Sequence, residues 1–389
     1  MVASGSRDAK PGMKNYDFVV VGAGISGASA AFYLADLGTV LLLETEAVPG
    51  YHSTGRSAAL FTPNFGPPVV RKLNVAGHDF FVSPPDGFSD RPLLTPRQSL
   101  TIARPGEEEN LAAVLASSTA QHPIFEITPE EACRLTPIVR RDVIAAAALE
   151  PGVTDMDVAA IHQGFLGGFR KKGGVIHISA HVSGLYRESQ GWRVEAGGET
   201  FHAGFIINAA GAWGDHVAGL AGIAPIGLVA KRRTMIGIET SLPLAETPLV
   251  EFAGEEAYFK PDTGRILASP GDETPVPPQD VQPEEWDIAV AADWLQRHTT
   301  LDVRRVANSW AGLRTFVSDH APVVGEEPGH PGFFWLVGQG GYGIMHSPTL
   351  GRATAALIET GDLPPDLLVI GLGVDDLGPA RLRRAPAQP

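Results

Sequence analysis

One stretch near the start of the chain, residues 16–44, reads YDFVVVGAGISGASAAFYLADLGTVLLLE and constrains the fold more than any other. Apolar, β-favouring residues at 17–21 predict a buried parallel strand, which leads directly into a G-x-G-x-x-G motif at 22–27. Small and apolar residues at helical spacing then predict a helix to Leu37. A second buried strand is predicted at 39–43, so the stretch has the order of a dinucleotide-binding unit.

Each glycine of this motif has a separate physical role. Gly22 permits the tight turn, Gly24 lets the backbone approach a pyrophosphate, and Gly27 lets the helix pack closely on the strand. The helix N-terminus adds N–H groups and a positive dipole end, and both attract phosphate. Glu44 follows the second strand, where its carboxylate can accept hydrogen bonds from ribose hydroxyls. The stretch therefore predicts a dinucleotide site.

Length and charge limit the number of domains and the kinds of binding partner that we expect. The chain has 389 residues, more than the roughly 250–300 at which single cores usually split, so two domains are expected. Its formal net charge of −14 argues against a nucleic-acid partner and against an anionic membrane surface. The same charge repels an anionic substrate at long range. We therefore expect local arginines to hold any substrate carboxylate.

The termini and the single cysteine predict no anchoring or metal-binding element. Residues 1–13 are polar and small, lack the apolar core of a secretory signal, and are expected to form a disordered extension. No run of about 18 apolar residues predicts a membrane-spanning helix, so we expect a cytoplasmic location. Cys133 is the only cysteine, and neither a disulfide nor a metal site is expected. Residues 373–389 are predicted to be a loose tail.

Strand and helix signals recur along the chain without internal repeats. They predict a Rossmann-like α/β domain built from three separate segments, 14–95, 150–226 and 303–372. Strand-like segments alternate with proline-rich loops in the two intervening segments, 96–149 and 227–302. These two segments are predicted to form a β-rich substrate domain.

Further motifs follow the fingerprint in order: PGYHSTGRSAA from Pro49, NAAGAW at 208–213, KRR at 231–233, WAGLRTFVSD at 310–319 and QGGYGI at 339–344. The set resembles the flavoprotein amino-acid oxidase and dehydrogenase family that includes D-amino-acid oxidase, glycine oxidase and sarcosine oxidase. The similarity is greatest to the bacterial D-arginine dehydrogenase type. It implies an FAD-binding domain of the glutathione-reductase and D-amino-acid-oxidase type, noncovalently bound FAD, and oxidation of an amine on the carbon that bears a carboxylate.

The resemblance assigns two groups of site residues. The cofactor group would be Gly22, Gly24, Gly27, Glu44, Ser53, Thr54, Arg56, Ser57, Ala58, Val182, Gly211, Gly340, Gly341, Tyr342 and Gly343. The substrate group would be Arg233, Tyr258, Arg314 and Gly341, with the two arginines facing the substrate carboxylate. Lys231 and Arg232 compete with Arg233 for its role, because all three are adjacent and basic.

The implied chemistry follows from these assignments. A guanidinium suits bidentate binding of a carboxylate, and this binding would fix the α-carbon over the flavin. The flavin would take a hydride equivalent from that carbon, and the resulting imine would hydrolyse to a 2-oxoacid and ammonia. No residue is assigned as an obligatory base. Oxygen and a quinone both stay open as the electron acceptor.

Three positions depart from the D-arginine dehydrogenase type. Where that type has a histidine, a tyrosine and a carboxylate that pairs with the substrate guanidinium, this chain has Leu60, Phe65 and Ser99. Burying a guanidinium without an anion is unfavourable, so a D-amino acid with a neutral or apolar side chain is expected. A secondary or N-methylated amino acid is one alternative substrate class. A dinucleotide-binding protein without turnover is the alternative from a different functional class.

Overall fold

The computed structural model describes residues 14–255 and 257–383; the predicted disordered extension at 1–13 lies outside them. The strands in chain order are β1 (Lys14–Val21), β2 (Val40–Leu43), β3 (Leu60–Phe61), β4 (Leu94–Pro96), β5 (Ser99–Ala103), β6 (Phe125–Ile127), β7 (Ala146–Glu150), β8 (Thr154–Met156), β9 (Val175–His177), β10 (Val182–Glu188), β11 (Gly191–Ala196), β12 (Glu199–Asn208), β13 (Val229–Glu239), β14 (Leu249–Phe252), β15 (Tyr258–Asp262), β16 (Arg265–Ser269), β17 (Thr274–Pro275), β18 (Asn308–Phe316), β19 (Val323–Glu326) and β20 (Phe333–Val337).

The helices in chain order are α1 (Ile25–Leu34), α2 (Pro68–Val82), α3 (Glu108–Ala116), α4 (Pro129–Leu135), α5 (Val158–Lys171), α6 (Gly214–Leu220), α7 (Glu285–His298), α8 (Gly343–Thr360), α9 (Pro365–Val369), α10 (Val374–Leu377) and α11 (Ala380–Arg383). The helix predicted to reach Leu37 ends at Leu34, and a turn follows. In the described part of the chain, no helix is both long and apolar enough to cross a membrane.

The first sheet contains the dinucleotide unit. Its main order is β10-β11-β12-β1-β2-β9, and β20 adds to β12 and carries β19. The pairs β1–β2, β1–β12, β2–β9 and β12–β20 are parallel, whereas β10, β11 and part of β12 form an antiparallel meander. Both faces of β1 and β2 are covered, which explains their continuous apolar runs. The predicted α/β fold is confirmed.

Helices α1, α5 and α8 belong to the apolar core on one side of this sheet. Small residues let α1 and α8 approach closely, because a Cβ on Gly351 would lie 2.8 Å from the carbonyl carbon of Ser29. Edge-to-face contacts join Phe32, Phe88 and Phe165 in the same core. The close packing holds the N-terminus of α1 at the carboxyl end of β1.

The second sheet takes most of its strands from the two segments that were predicted to form the substrate domain. Its order is β17-β13-β16-β15-β14-β5-β7-β6, and β18 pairs with β13. One face forms an apolar core with α7, in which Phe252, Phe259 and Trp294 make ring contacts. A small third sheet, β3-β8-β4, lies near the start of the loop that precedes α2.

Two sequence-based boundaries differ from the structure. Residues 303–372 were predicted to belong to the dinucleotide domain, but β18 pairs along its length with β13 of the second sheet. The predicted loose tail is also wrong over 374–383, where α10 and α11 form and Leu377 is fully buried. Arg381 anchors this end by donating to Asp319 and to the carbonyl oxygen of Ala321. Both predictions were based on local composition. The structure differs because contacts with residues far away in the sequence determine where these segments lie.

Candidate active site

A single cavity of about 560 Å³ connects the β1–α1 turn with one face of the second sheet. Such a volume is within the range of roughly 300–1,000 Å³ typical of ligand sites. Its lining includes Gly22, Gly24 and Glu44 at one end and Arg233 and Arg314 at the other. The two predicted groups of site residues therefore share one space.

The glycines of the β1–α1 turn are required by contacts within the chain. Gly22 has φ +100°, and a Cβ there would lie 2.6 Å from the carbonyl oxygen of Ala209. A Cβ on Gly27 would overlap the carbonyl oxygen of Gly22, so this residue serves close packing and lies outside the cavity lining. Gly24 lines the cavity, and only the Thr54 hydroxyl, at 3.3 Å, approaches its Cβ position.

Side chains from two other segments complete the start of α1. The backbone N–H of Ala23 donates to Glu44 Oε2 at 2.8 Å, and that of Ile25 donates to Thr54 Oγ1 at 3.0 Å. Glu44 Oε1 accepts a further hydrogen bond from the Glu46 backbone at 2.9 Å. Since a carboxylate has about four acceptor positions, Glu44 keeps acceptor capacity toward a ribose.

Unsatisfied polar atoms in the lining show that the cavity fits a large polar cofactor. Among the described residues, His52 Nδ1 and Gln339 Nε2 are buried without a hydrogen-bond partner, and both side chains line the cavity. Leaving such an atom unpaired costs about 1–3 kcal/mol, which a bound partner removes. Gly211 has φ +54° and no atom within 4 Å of its Cβ position, so it leaves open space at the wall. The predicted lining residue Val182 is on this wall as well.

The loop after β2 ties the cofactor end to the substrate end. Ser53, Arg56, Ser57 and Ala58 all line the cavity, as predicted. Ser53 Oγ donates to the carbonyl oxygen of Leu313 at 2.8 Å. Arg56 donates to the carbonyl oxygens of Val281 and Ala311 at 2.9 and 3.1 Å and pairs with Asp280. The Arg56 side chain therefore connects this loop to β18 and to the loop before α7.

Arg314 is positioned by the glycine-rich turn before α8. A Cβ on Gly341 would lie 3.0 Å from both Cζ and Nε of Arg314, so the guanidinium packs directly on this glycine. Gly340 donates its N–H to the carbonyl oxygen of Thr315 at 2.8 Å, and a Cβ there would overlap the Phe316 ring. Gly340, Gly341 and Gly343 all line the cavity. The glycine-rich turn and β18 thus together fix the position of the Arg314 side chain.

Strand alternation distinguishes Arg233 from its basic neighbours. Arg232 is buried on the opposite face of β13, where Nη2 lies 2.8 Å from Asp287 and other acidic groups surround it. Arg233 lines the cavity, and Lys231 lies on the same face of the strand. Lys231 is directly opposite Arg314 in the β13–β18 register, so Arg233 and Arg314 are diagonal neighbours on one face.

Glu273 lies against this basic group. It accepts from Lys231 Nζ at 2.7 Å and from Arg233 Nη2 at 3.1 Å. Burial acts to raise the pKa of Glu273, but the Lys231 hydrogen bond and the charges of Lys231, Arg233 and Arg314 hold that pKa below its ordinary value. Glu273 therefore stays ionised and offsets part of the positive charge. Of the two predicted carboxylate-binding arginines, Arg314 is the one that the glycine turn positions.

The two predicted tyrosines have different surroundings. Tyr258 lines the cavity, and its hydroxyl lies 3.4 Å from Sδ of Met235, which also lines it. Tyr342 was predicted to contact the cofactor but lies outside the lining. Its ring packs 5.5 Å from the Phe65 ring and 5.7 Å from the His346 ring, measured between centroids. The contact of Tyr342 with the cofactor stays a prediction.

Sequence reasoning missed a carboxylate of the cavity lining. Ser99 was identified as the position where an anion was absent, and it is buried outside the lining. Glu251 on the neighbouring strand β14 lines the cavity, together with Leu60, Phe65 and Leu249. The preference for a neutral or apolar side chain stays a prediction, and Glu251 is a lining residue that bears on it. An isolated glutamate in the apolar strand LVEF was the signal that could have found it.

A second carboxyl group lies next to this wall. Glu150 accepts a hydrogen bond from Asn64 Nδ2 at 2.9 Å. Burial raises the pKa of Glu150 to about 7, outweighing the Asn64 hydrogen bond, and the negative charge of Glu251 adds to the rise. Glu150 therefore carries a proton over much of the range below neutral pH.

Comparison with known proteins identifies the family. A family model described as FAD dependent oxidoreductase matches residues 17–357. Glycine oxidase of Geobacillus kaustophilus is 24% identical over 258 residues, which cover 64% of this chain and 66% of the relative. Human mitochondrial dimethylglycine dehydrogenase is 24% identical over 380 residues, which cover 90% of this chain but 43% of the relative. The chain thus spans two thirds or less of the length of these relatives.

Solved structures show the same fold. L-Proline dehydrogenase from P. horikoshii superposes with a TM-score of 0.84 at 21% identity and covers 96% of this chain and 99% of its own. Glycine oxidase from Geobacillus kaustophilus gives a TM-score of 0.79 at 20% identity, covering 89% and 95%. The predicted resemblance is confirmed for the family, whereas the narrower D-arginine dehydrogenase type stays a prediction. The chain belongs to the FAD-dependent oxidoreductase family, and FAD is its cofactor.

Proposed function

We propose that this protein oxidises the carbon–nitrogen bond of an amino acid, which it binds through the substrate carboxylate. The observation that supports this most is the Arg314 guanidinium, held against Gly341 in the same cavity as the β1–α1 turn. An arginine at that place can bind a carboxylate through two parallel hydrogen bonds. The net charge of −14 makes a dedicated cation necessary for an anionic group to enter.

The protein groups would bind and orient the substrate. Arg314 would hold the carboxylate, with Arg233 adding positive charge from the diagonal position, and Tyr258 would close the wall beside Met235. Bound FAD would supply the two-electron oxidation that converts the amine to an imine, which water hydrolyses to a 2-oxoacid and ammonia. The loop that contains Ser53 and Arg56 keeps the cofactor and substrate ends in one fixed arrangement.

D-Amino acids with a side chain are the first substrate class in this proposal. Similarity to amino-acid-oxidising flavoproteins supports the class, and the cavity lining includes the apolar side chains of Leu60, Phe65 and Leu249. Such a wall suits a substrate with a side chain. Glycine derivatives with N-methyl groups are the second class, because glycine oxidase and dimethylglycine dehydrogenase are among the relatives. These would leave the side-chain space without a ligand.

Anaerobic bleaching of the flavin absorbance tests the proposal. The purified holoenzyme is mixed with both enantiomers of several amino acids, with glycine, with sarcosine and with dimethylglycine, and the visible spectrum is followed. We expect D-amino acids to bleach the flavin faster than their enantiomers and faster than the glycine derivatives. Readmitting air and measuring hydrogen peroxide then separates oxygen from a quinone as the acceptor. Cytoplasmic location belongs to the same proposal and is checked by cell fractionation.

Each alternative has its own outcome in this experiment. Bleaching by sarcosine or dimethylglycine alone selects the second substrate class. Bleaching by L-enantiomers overturns the stereochemical part only. A flavin spectrum that no amine changes, although dithionite reduces it, contradicts the proposed function and favours cofactor binding without turnover.

A further inference from the structure

A buried histidine of α5 is bonded to the backbone of the β1–α1 turn. His162 is 4% exposed, and its Nε2 lies 2.9 Å from the carbonyl oxygen of Ala23, the residue between the first two glycines of the G-x-G-x-x-G motif. Because a carbonyl oxygen can only accept a hydrogen bond, Nε2 carries the proton and donates it. A side chain that is distant in sequence is therefore part of the turn.

Burial determines the protonation state of this imidazole. It lowers the pKa of His162 below its ordinary value, and the hydrogen bond to the Ala23 carbonyl opposes this shift only in part. The ring is therefore neutral at neutral pH and has a single proton. The Ala23 carbonyl selects the tautomer that has this proton on Nε2.

The same ring lies against the loop that follows β2. Gly50 in this loop has φ +80°, and a Cβ at this position would lie 2.7 Å from Cε1 and 3.1 Å from Nδ1 of His162. Gly50 lines the cavity, whereas the His162 side chain lies behind it and outside the lining. The imidazole thus fills the space between α5 and two backbone segments of the cofactor end.

The direction of the Ala23 carbonyl determines the direction of the next N–H group. The peptide bond between Ala23 and Gly24 is trans, and in a planar trans peptide the C=O and N–H groups point to opposite sides. Ala23 is fully buried and lies outside the cavity lining, whereas Gly24 lines the cavity. A carbonyl that points inward to His162 therefore directs the Gly24 N–H toward the cavity.

Three consecutive N–H groups of the turn are used differently. The N–H of Ala23 donates to Glu44, and that of Ile25 donates to Thr54. No described residue accepts a hydrogen bond from the N–H of Gly24, which lies between them. An N–H group at the N-terminus of a helix is suited to an anionic ligand. Glu44 and Thr54 thus occupy the flanking donors and leave the middle one for the cofactor.

We propose that His162 is a positioning residue for FAD, because its hydrogen bond to the Ala23 carbonyl holds the peptide in which the Gly24 N–H donates to the cofactor diphosphate. Without this bond the buried carbonyl lacks a donor, and rotation of the peptide toward another donor turns the N–H away from the diphosphate. The imidazole does not line the cavity, so it acts through the backbone. This role depends neither on the substrate nor on the reaction.

Three substitutions test whether the hydrogen bond is responsible. The side-chain amide of His162→Gln reaches about as far as Nε2, that of His162→Asn is one methylene shorter, and His162→Met has similar length without a donor. The FAD dissociation constants of the purified holoenzymes are measured by equilibrium dialysis. We expect the Asn and Met variants to bind FAD roughly tenfold or more weakly than the wild type, and the Gln variant to stay within about threefold of it.

The ³¹P NMR spectrum of bound FAD reports on the diphosphate directly. It is recorded with excess FAD, so that the sites stay filled in every variant. The wild type and His162→Gln should give the same diphosphate resonances. His162→Asn and His162→Met should give shifted resonances, because an N–H donor has left the phosphate. Diphosphate resonances that stay at their wild-type positions in these two variants overturn the proposal.

His298 provides a matched control. It is also 4% exposed, and its Nδ1 donates to the carbonyl oxygen of Trp294 at 2.8 Å within α7, outside the cavity lining. His298→Met removes a buried bond of the same kind, so FAD affinity and the ³¹P spectrum should remain those of the wild type. A tenfold loss of FAD affinity in this variant would show a general effect of destabilisation and overturn the proposal.

The comparison of His162→Gln with His162→Asn decides the question alone if His162→Met does not fold. Both variants keep a polar amide and differ in its reach. Weaker FAD binding by the Asn variant supports the proposal. Equal FAD affinity of the two variants overturns it, because the position of the donor would then have no effect.

Discussion

The two ends of the cavity are built in different ways. At the cofactor end, the β1–α1 turn is completed by Glu44 and Thr54, which are close in sequence and bond to backbone N–H groups of the turn. At the substrate end, Arg314, Arg233 and Glu251 come from three different strands of the second sheet, and strand pairing brings them to one cavity. The first end presents the backbone of a glycine-rich turn together with nearby side chains, whereas the second presents mainly side chains of paired strands.

This difference corresponds to what each end has to recognise. A pyrophosphate is the same in every FAD molecule, so backbone N–H groups and a helix dipole are sufficient to bind it. Substrates differ in their side chains, and discrimination requires side chains of chosen charge and size. If the two ends act separately, substitutions at one should change either FAD retention or substrate preference, but not both.

The largest expected effect is at the basic end. Arg314→Leu removes a charge-assisted pair with the substrate carboxylate, which commonly costs about 2–5 kcal/mol in a desolvated site. We expect a loss of kcat/KM of roughly thirtyfold or more, with the flavin spectrum and the FAD content unchanged. Arg304→Leu, at a side chain with 85% exposure, serves as the control. Unchanged kinetics would mean that the substrate carboxylate binds elsewhere. Loss of FAD would show that the cofactor end and the substrate end do not act separately.

Glu150, the buried carboxyl group next to the cavity wall, should make stability depend on pH. The pKa of Glu150 is raised from 4.5 to about 7 by burial, so the folded state holds this proton more tightly than the unfolded state does. Its contribution, about 3 kcal/mol at most, is fully present below pH 4.5 and is lost as the pH rises to about 7. Urea unfolding of Glu150→Gln against wild type should show a difference that changes across this window. Glu359→Gln, at an exposed position of α8, should show no such trend. A flat difference for Glu150→Gln would contradict the prediction.

A smaller effect is expected at the turn that positions Arg314. Gly341→Ala places a Cβ about 3 Å from the guanidinium, and overpacking of this kind costs about 1–3 kcal/mol. Affinity for pentanoate, a carboxylate without an amino group on the α-carbon, should fall while FAD stays bound. Gly152→Ala adds a Cβ that meets no atom within 4 Å and should leave pentanoate affinity unchanged. Equal affinities in the two variants would mean that the glycine does not position Arg314.

The smallest effect is expected at the cofactor end. Thr54→Val removes the acceptor of the Ile25 N–H, which costs about 0.5–1.5 kcal/mol, so FAD affinity should fall roughly two- to tenfold. Thr54→Ser keeps the hydroxyl and should bind FAD like the wild type. Pentanoate affinity, measured with saturating FAD, should not change. A changed affinity would show that the ends are coupled.

Much of the cofactor end could be predicted from local sequence. The turn, the helix start and the acidic residue after β2 are encoded within one short segment, and the predicted strand order β1–α1–β2 is present. Arg314 and Gly341 were identified by family resemblance, and the structure brings them into contact. Tyr342 was assigned to the cofactor by the same resemblance; its ring packs on Phe65, and the cofactor contact stays a prediction.

At the substrate end, the local sequence does not indicate which side chains face the cavity. Which of three consecutive basic residues faces the cavity depends on the register of β13, and Arg233 faces it because Arg232 is buried on the other face. Glu251 lies in the cavity wall because β14 pairs with β5. The sequence alone determined that the chain binds a dinucleotide, because that site is made by neighbours along the chain. Tertiary structure decided the charge of the substrate pocket, since pairing between distant strands selects which side chains share a face.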